Sequence, residues 1–517
     1  MSESKSEQHL VAQRHNKLKQ IRTLGYAVYP NNYKATHFLG QILSQHQDTS
    51  KLELEAERIN VKVRGRIVAM RGQGKAGFIN LSDGDHRLQI YLRKDNLGEK
   101  NFQLYRLLDL GDFVGVEGYL FRTRTEELTV HAENIVFLAK SLLPLPEKWH
   151  GLSDVEIRYR QRYLDLISNK KVRAIFQTRS KIIKGIRNFL DEMNYIEVET
   201  PMMQAVAGGA SARPFKTFHN ALNLPLFLRI APELYLKRLI VGQLERVYEI
   251  NRNFRNEGIS TQHNPEFTMV EFYQSYSDYF ELMDLTENLM KRLALEIFGS
   301  LEFEYNGDQI SFDVWSRYSL KDAIQKFWPT SELFSLKSHD LEDTGRLNYI
   351  CEKWNEHAIS NELDQIPFRQ SDSKGKILAG LFDVVVEKHL IQPTIIYDYP
   401  LELSPLSKTK PSDPMVAERF ELFIAGMEIA NAYSELNDPQ EQQNRFEAQM
   451  VSRSEGDEEA HQMDEDYVRA LCYGMPPTAG EGIGIDRLTM LFTNSLSIRD
   501  VILFPLLKPE KRAKNDV

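Results

Sequence analysis

The chain has 517 residues, a formal net charge of −9, 42% hydrophobic and 26% charged residues. That length exceeds one ordinary core, so two or more domains are expected, and the composition is that of a soluble globular protein. No apolar run approaches the ~20 residues of a membrane span, and the N-terminus has no apolar signal-peptide core. Cys351 and Cys472 are the two cysteines. They lack metal-ligand spacing and read as two buried, reduced thiols of a cytoplasmic protein. The acidic total hides an asymmetry. Residues 1–141 carry 21 Lys+Arg against 16 Asp+Glu, a net +5, and the rest carries −14. A contact that tracks a nucleic-acid backbone would want its basic excess in the N-terminal part.

From about Gln8 to Leu24 the apolar residues Leu10, Leu18, Ile21 and Leu24 recur near helical period, with Arg14, Lys17, Lys19 and Arg22 on the other faces. This predicts a basic helix, either touching RNA or capping a domain. From Val61 to Ala139 the pattern changes to five short strands: 61–68, 77–81, 88–92, 113–118 and 128–132. Turns separate most of them, and a helical stretch around Phe102 to Leu110 precedes the fourth. Five strands with one helix suit an OB-fold barrel, which binds single-stranded nucleic acid by aromatic stacking and basic residues. Arg71, Phe78, Gln89 and Glu127 lie on or near its strands.

A proline-bearing linker follows from about Lys140. Val172 to Leu190 reads as a helix, and Ile196 to Thr200 as a strand ending at Pro201, which suits an edge or a subunit interface.

Val247 to Arg255 and the stretch through Phe267, Met269, Glu271 and Tyr273 read as a β-hairpin with a charged tip, Asn256-Glu257-Gly258 through His263. Glu249, Asn251, Asn253 and Arg255 share one face of the first strand; Phe267, Met269, Glu271 and Tyr273 share one face of the second. An aromatic ring, a carboxylate and a phenol on one face suit a ligand with a flat ring, negative charge and an amine.

Glu332 to Asn361 is polar and helical in character, and another helix is expected from Ile377 to His389. Glu421 and Glu428 sit at odd spacing, so they share a face only if a turn at Ala425-Gly426 intervenes. Glu428 and Asn431 differ in parity, which implies a bulge between them. Asn431, Tyr433 and Glu435 alternate onto one strand face. Gly480-Glu481-Gly482-Ile483-Gly484 is a strand stripped of side chains on one face, so that a ligand or a packed helix can lie flat there. Arg487 emerges where strand becomes helix, and its fork suits phosphate oxygens. There is no internal repeat, Walker A loop or dinucleotide fingerprint, and the HIGH and KMSKS signatures of class I synthetases are absent.

The hairpin and the glycine strand resemble motifs two and three of the class II aminoacyl-tRNA synthetases. The runs Arg229-Ile230-Ala231-Pro232-Glu233-Leu234-Tyr235-Leu236-Lys237, Glu428-Ile429-Ala430-Asn431 through Ser434-Glu435-Leu436-Asn437-Asp438, and Pro476-Pro477-Thr478-Ala479-Gly480 are similar to the bacterial lysyl-tRNA synthetase family. The resemblance spans about Arg14 to Pro509. It implies an α+β multidomain fold: an N-terminal helical extension (1–57), an OB-fold anticodon-binding barrel (58–141), a linker (142–160) and a class II antiparallel-sheet catalytic domain (161–517) with a helical insertion near 330–390. The helix-strand-proline unit becomes motif one, which builds a homodimer.

The resemblance also implies roles. Arg255 meets the α-phosphate and the lysine carboxylate, Phe267 stacks on adenine, Glu257 and His263 hold nucleotide groups, and Arg487 meets the γ-phosphate of ATP. Glu421 and Glu428 hold Mg²⁺. Gly209, Glu233, Glu271, Tyr273, Asn431, Tyr433 and Glu435 bind lysine, with Glu233 on the α-ammonium and Glu435 on the ε-ammonium. Arg71, Phe78, Gln89 and Glu127 read the central uridine of the anticodon. The activity implied is lysine activation by ATP and transfer to lysine tRNA. The alternatives are a paralogue that lysylates a protein, which would lack the barrel, and a non-catalytic RNA-binding relative, which would have lost Arg255, Glu428 or Arg487. An aspartate or asparagine enzyme would not place a carboxylate at Glu435. Two positions depart from the family pattern. Gln262 stands where bacterial relatives often carry arginine. Glu481 replaces an apolar or small residue and is expected to point to solvent.

Overall fold

The computed structural model describes residues 5–146, 154–454, 456 and 459–509. The chain divides into two compact units, Met1–Arg173 and Ala174–Val517.

In the first unit, helix α1 (Lys5–Thr23) precedes strands β1 (Asn60–Gln73), β2 (Ala76–Ser82) and β3 (Arg87–Arg93), helix α2 (Lys94–Leu107), and strands β4 (Phe113–Arg122) and β5 (Leu128–Ala139). The five strands close into a barrel in the order β1-β2-β3-β5-β4, the OB-fold. Alternation explains the closure. Ile79 and Leu81 of β2, Leu88, Ile90 and Leu92 of β3, and Val114 and Val116 of β4 are fully or almost fully buried inside. The basic face of α1 is partly engaged by this unit itself. Arg14 donates to the carbonyls of Ser141 and Leu143, and Lys17 pairs with Asp109 at 2.5 Å. Lys140, expected to open the linker, has its ammonium buried between Asp109 (2.6 Å) and Asp112 (2.7 Å), so the chain stays pinned to the barrel there. Of the expected linker, residues 147–153 lie outside the described residues, and Val155–Arg160 is helical with Asp154 as its N-cap.

The second unit begins within helix α3 (Lys170–Glu192) and is built on one large sheet. Its strands are β6 (Ile196–Glu197), β7 (Arg246–Phe254), β8 (Glu266–Ser275), β9 (Ser316–Ser319), β10 (Thr394–Pro400), β11 (Asp413–Ile424), β12 (Met427–Ser434) and β13 (Thr478–Gly484). Their order is β9-β10-β11-β12-β13-β8-β7-β6, antiparallel except for the outer pairs β9/β10 and β7/β6. Strand β6 is shorter than the sequence suggested. Only Ile196 and Glu197 pair with β7, and the chain then leaves the edge ahead of Pro201.

One face of the sheet is covered by α3, by helix α5 (Tyr279–Phe298) and by helix α9 (Ile485–Phe492); its core includes Ile186, Phe272, Leu289, Leu293, Phe420 and Ile483. Helix α4 (Glu233–Val241) and helix α8 (Glu465–Leu471) contribute Leu234, Leu236, Ile240, Tyr467 and Leu471 to a separate cluster with Tyr273. The insertion forms helix α6 (Thr344–Ser360) and helix α7 (Lys374–Val385) around Trp328, Trp354 and Phe382. Helix α7 starts three residues earlier than expected, because Ser373 caps it through the Lys376 amide. Of the two cysteines expected to be buried, Cys351 of α6 is, whereas Cys472, at the C-terminal end of α8, is exposed.

Candidate active site

The open sheet face is laid out in transverse rows. Glu421, Asn431, Gly482, Glu271 and Glu249 stand opposite one another across β11, β12, β13, β8 and β7. The neighbouring row is Arg419, Tyr433, Gly480, Tyr273 and Val247. The expected hairpin faces therefore coincide, and the glycines of β13 lie in the middle of both rows.

Two local devices set the phase. Ala425 and Gly426 both take positive φ (53° and 67°), making the tight turn between β11 and β12. A bulge then leaves Ile429 unpaired, since Leu422 faces Ala430 and Phe423 faces Glu428. Turn and bulge together bring Glu421, Glu428 and Asn431 to the lining of one cavity.

That cavity, of ≈ 340 Å³, is also lined by Gly209, Glu233, Arg255, Glu271, Tyr273 and Tyr433. A second, of ≈ 240 Å³, is lined by Arg255, Glu257, His263, Phe267 and Arg487 among others. They share Arg255, Met269, Glu428, Asn431 and Gly482, so they are two compartments of one site with Arg255 at the junction.

The first compartment rests on buried acids: Glu233 and Glu271 line it, and Glu435 lies beneath Gly480 of its wall. Glu233, Glu271 and Glu435 are 4%, 5% and 1% exposed. Burial pushes the Glu271 carboxyl up to about 8, with the charges of Glu233 and Glu249 adding to it and Arg255 and Arg229 opposing it. Tyr273 donates to Glu271 (3.5 Å) and Tyr433 to Glu233 (2.5 Å). Gly480 is required here: a β-carbon on it would lie 2.3 Å from the Tyr273 ring and 2.4 Å from Glu435 Oε1. Gly209, at φ +86°, brings its loop against Glu233.

The expected clamp at Glu435 has a partner that the sequence reading left unassigned. The Lys237 ammonium, fully buried, donates to Glu233 Oε1 at 2.6 Å and forms an ion pair with Glu435 Oε2. Neither Glu435 oxygen accepts a hydrogen bond among the described residues.

In the second compartment the Arg255 guanidinium sits 5.0 Å over the Phe267 ring. Its buried Nε has no hydrogen-bond partner among the described residues. Arg487 donates to the Glu428 carbonyl (2.7 Å) and carboxylate (3.2 Å) and to His263 Nε2 (3.1 Å). His263 Nδ1 faces Ser260 Oγ at 3.0 Å, so a neutral ring protonated at Nδ1 satisfies both contacts. Partial burial and the Arg487 charge hold its pKa below the ordinary value. Asp486 anchors the start of α9 by accepting from the Thr268 amide (2.7 Å) and pairing with Arg179 (2.6 Å).

Glu421 accepts from Tyr399 (2.8 Å) and pairs with Arg419, which also donates to Asn431 (3.1 Å). Burial raises the Glu421 carboxyl to about 7, with Arg419 opposing and Glu428 adding to it. Among the described residues, no group of three or more His, Cys, Asp or Glu could hold a metal ion. Two carboxylates whose like charges raise each other's cost fit a cation that draws its other ligands from substrate oxygens, as magnesium does.

Glu481 does not point to solvent. It is 2% exposed and contacts Thr286 of α5 at 2.7 Å through both oxygens. The alternation that clears one face of β13 sends Glu481 to the helix-covered face. On the barrel, Arg71 stands opposite Phe78 and Phe78 opposite Tyr91, with ring centroids 4.9 Å apart. Gln89 donates to Thr129 at 3.0 Å, and Glu127 immediately precedes β5.

Residues 154–508 match the family model for class II tRNA synthetases (D, K and N). The chain belongs to the class II tRNA synthetases. Residues 61–138 match the OB-fold nucleic acid binding domain of the tRNA anticodon-binding family. The chain is 52% identical to a lysine–tRNA ligase of Pelotomaculum thermopropionicum over 97% of this chain and 95% of that one. It is 50% identical to one of Legionella pneumophila, over 96% and 97%, and 49% identical to one of Bacillus subtilis, over 96% of each.

Proposed function

We propose that this synthetase is a lysine–tRNA ligase. It joins L-lysine to ATP, giving lysyl-adenylate and pyrophosphate, and then passes lysine to the 3′ end of lysine tRNA. The single observation that carries the substrate is Glu435: a buried carboxylate, paired on one oxygen by Lys237, whose other oxygen lies under Gly480 of the cavity wall without a hydrogen bond among the described residues. A long side chain ending in an ammonium satisfies it; an aspartate or asparagine side chain does not.

The chemistry follows from the layout. The amino-acid carboxylate is ionised at neutral pH and needs no general base. Its oxygen attacks the α-phosphorus, and the bond to the β-phosphate oxygen breaks with its electron pair leaving on pyrophosphate. The tRNA hydroxyl then attacks the acyl carbon and AMP leaves. Catalysis is positioning plus charge stabilisation. Arg255, at the junction, bridges the lysine carboxylate and the α-phosphate. Phe267 supplies a flat face for adenine, Glu257 and His263 hold nucleotide groups, and Arg487 takes the γ-phosphate. Glu233 receives the α-ammonium, with Gly209 close behind it, while Glu271, Tyr273, Asn431 and Tyr433 complete the wall. Glu421 and Glu428 would hold Mg²⁺, which when bound neutralises phosphate charge.

The barrel serves the anticodon through Arg71, Phe78, Gln89 and Glu127, three of them on strands of its outer face. Exposed Ile196, Met202 and Met203, on and just after the motif-one strand, support a homodimer. A cytoplasmic location is consistent with the described helices, none of which is long and apolar enough to cross a membrane.

ATP–pyrophosphate exchange with each amino acid in turn tests the reading. Lysine alone should drive exchange, and Glu435→Gln should raise the apparent KM for lysine with little change in ATP affinity measured without lysine. Exchange driven by aspartate or asparagine, or normal lysine use by Glu435→Gln, would refute it.

A further inference from the structure

A cation built into the floor of a pocket for a cationic substrate calls for a physical reason. Lysine is almost never fully buried unless paired, and Lys237 is 0% exposed. It lies one helical turn after Glu233 on α4, a spacing that on a solvated helix gives only a weak surface pair. Here the ammonium turns inward, 5.3 Å from the Tyr433 ring centroid and 6.0 Å from that of Tyr467.

Its contacts divide two carboxylates in the same way. Glu233 Oε1 accepts from Lys237 and Tyr433, while Oε2 accepts no hydrogen bond among the described residues. Glu435 Oε2 faces Lys237, while Oε1 lies under Gly480 without a hydrogen bond. Each carboxylate thus has one oxygen held from behind and one turned toward the compartment. Glu271, pushed up to about 8, keeps its proton at neutral pH. The two carboxylates left to meet ammonium groups are therefore Glu233 and Glu435, the pair that Lys237 holds.

We propose that Lys237 is a specificity-determining positioning residue: an internal cation that holds one oxygen each of Glu233 and Glu435, so that the pocket takes an amino acid bearing two ammonium groups. The inference rests on the placement of lysine in this compartment. The groups facing Glu435 are Glu233 and Lys237 from α4, Glu271 and Tyr273 from β8, Tyr433 from β12 and Tyr467 from α8. Burial raises the Glu435 carboxyl well above its ordinary value, and Lys237 opposes that rise. Burial works against the Lys237 ammonium, but Glu233 and Glu435 outweigh it and raise its pKa. His461, buried nearby, is lowered to about 4 by burial and then by the Lys237 charge, so it stays neutral and adds no competing cation.

Lys237→Met keeps the length of the side chain and removes the charge. Without it, Glu435 loses the cation that opposes the rise of its carboxyl, and a proton taken up there would turn its oxygen from acceptor to donor. Lysine-dependent exchange should show a KM raised by at least about thirtyfold at pH 7, the low end for breaking a buried charge pair. The defect should shrink as pH rises and Glu435 ionises, with ATP affinity in the absence of lysine unchanged. Lysine KM equal to or below that of the unmodified protein at every pH would make Lys237 a filler or a competitor and overturn the proposal. A KM defect constant across pH would overturn the electrostatic role of Lys237. Equal losses of lysine and ATP binding would mean that α4 has collapsed, and would also overturn it. Glu435→Gln run in parallel separates the layers: if that variant binds lysine normally, the substrate placement itself is wrong.

Discussion

Arg487 is tied to Glu428 through both the carbonyl and the carboxylate of that residue. These are the two groups proposed for the γ-phosphate and for Mg²⁺. A phosphate bound by Arg487 would compete with this contact for the guanidinium. Arg487→Lys keeps the charge but loses the bidentate geometry. The expected outcome is a rise in ATP KM of about tenfold or more, the scale of one charged hydrogen bond at 1.5–3 kcal/mol, with lysine KM little changed. Exchange kinetics check this; an unchanged ATP KM would remove Arg487 from nucleotide binding.

Gly480→Ala offers a steric test of the lysine compartment. The added methyl would overlap the Tyr273 ring and the Glu435 carboxylate, so one of them must move. Lysine-dependent exchange should fall at least about a hundredfold, while ATP still binds, because only Gly482 and Gly484 of β13 line the nucleotide compartment. Overpacking of this kind typically costs about 1–3 kcal/mol. Isothermal titration with ATP alone and thermal unfolding distinguish it from general misfolding.

Phe78→Ala should separate the two reactions. Base stacking is worth ~1–3 kcal/mol, so charging of lysine tRNA should weaken by about five- to a hundredfold in kcat/KM. Pyrophosphate exchange, which needs no tRNA, should stay near normal. Equal losses in both assays would make Phe78 a barrel support only.

Glu481 predicts a pH dependence of stability. Burial raises its carboxyl from 4.5 to about 8, against a hydrogen bond from Thr286. Thr286 Oγ1 also lies 2.7 Å from the Leu282 carbonyl, and one hydroxyl proton serves all three contacts only if Glu481 brings a proton of its own. Between these two pKa values the folded state holds the proton and the unfolded state releases it, so this group makes stability fall as pH rises across that window. At ~1.4 kcal/mol per pKa unit the total is on the order of a few kcal/mol. Glu481→Gln should remove the slope, raising the urea midpoint relative to the parent at pH 8.5 more than at pH 5.5. Parallel midpoints at both values would mean that Glu481 is charged in the folded protein.

The features legible in the sequence were those fixed by local periodicity. The hairpin face of Glu271 and Tyr273, the turn at Ala425-Gly426 and the bulge ahead of Asn431 each follow from a period of two and its interruptions. What escaped depends on what covers a surface. The resemblance assigns Glu233 to the α-ammonium but leaves Lys237, one turn later, without a role, and the burial of Lys237 depends on helix α8 packing against α4. Glu481 had the right parity for the far face of β13, but nothing local says that α5 lies on that face. Arg419 shares a face with Glu421 at a spacing of two, a signal available in the sequence but indistinguishable from an ordinary ion pair along one strand.

The hairpin of β11 and β12 carries a constraint on length rather than on identity. One added or deleted residue at Ala425-Gly426 or at Ile429 would rotate everything downstream by half a pleat. Asn431, Tyr433 and Glu435 would turn into the helix-packed layer, and Ala430, Ala432 and Ser434 would meet the substrate. Point changes within the turn leave that phase intact. This segment can therefore drift in composition, but it has no tolerance for insertions or deletions, and a functional variant with an altered length here would have to carry a second, compensating slip before Asn431.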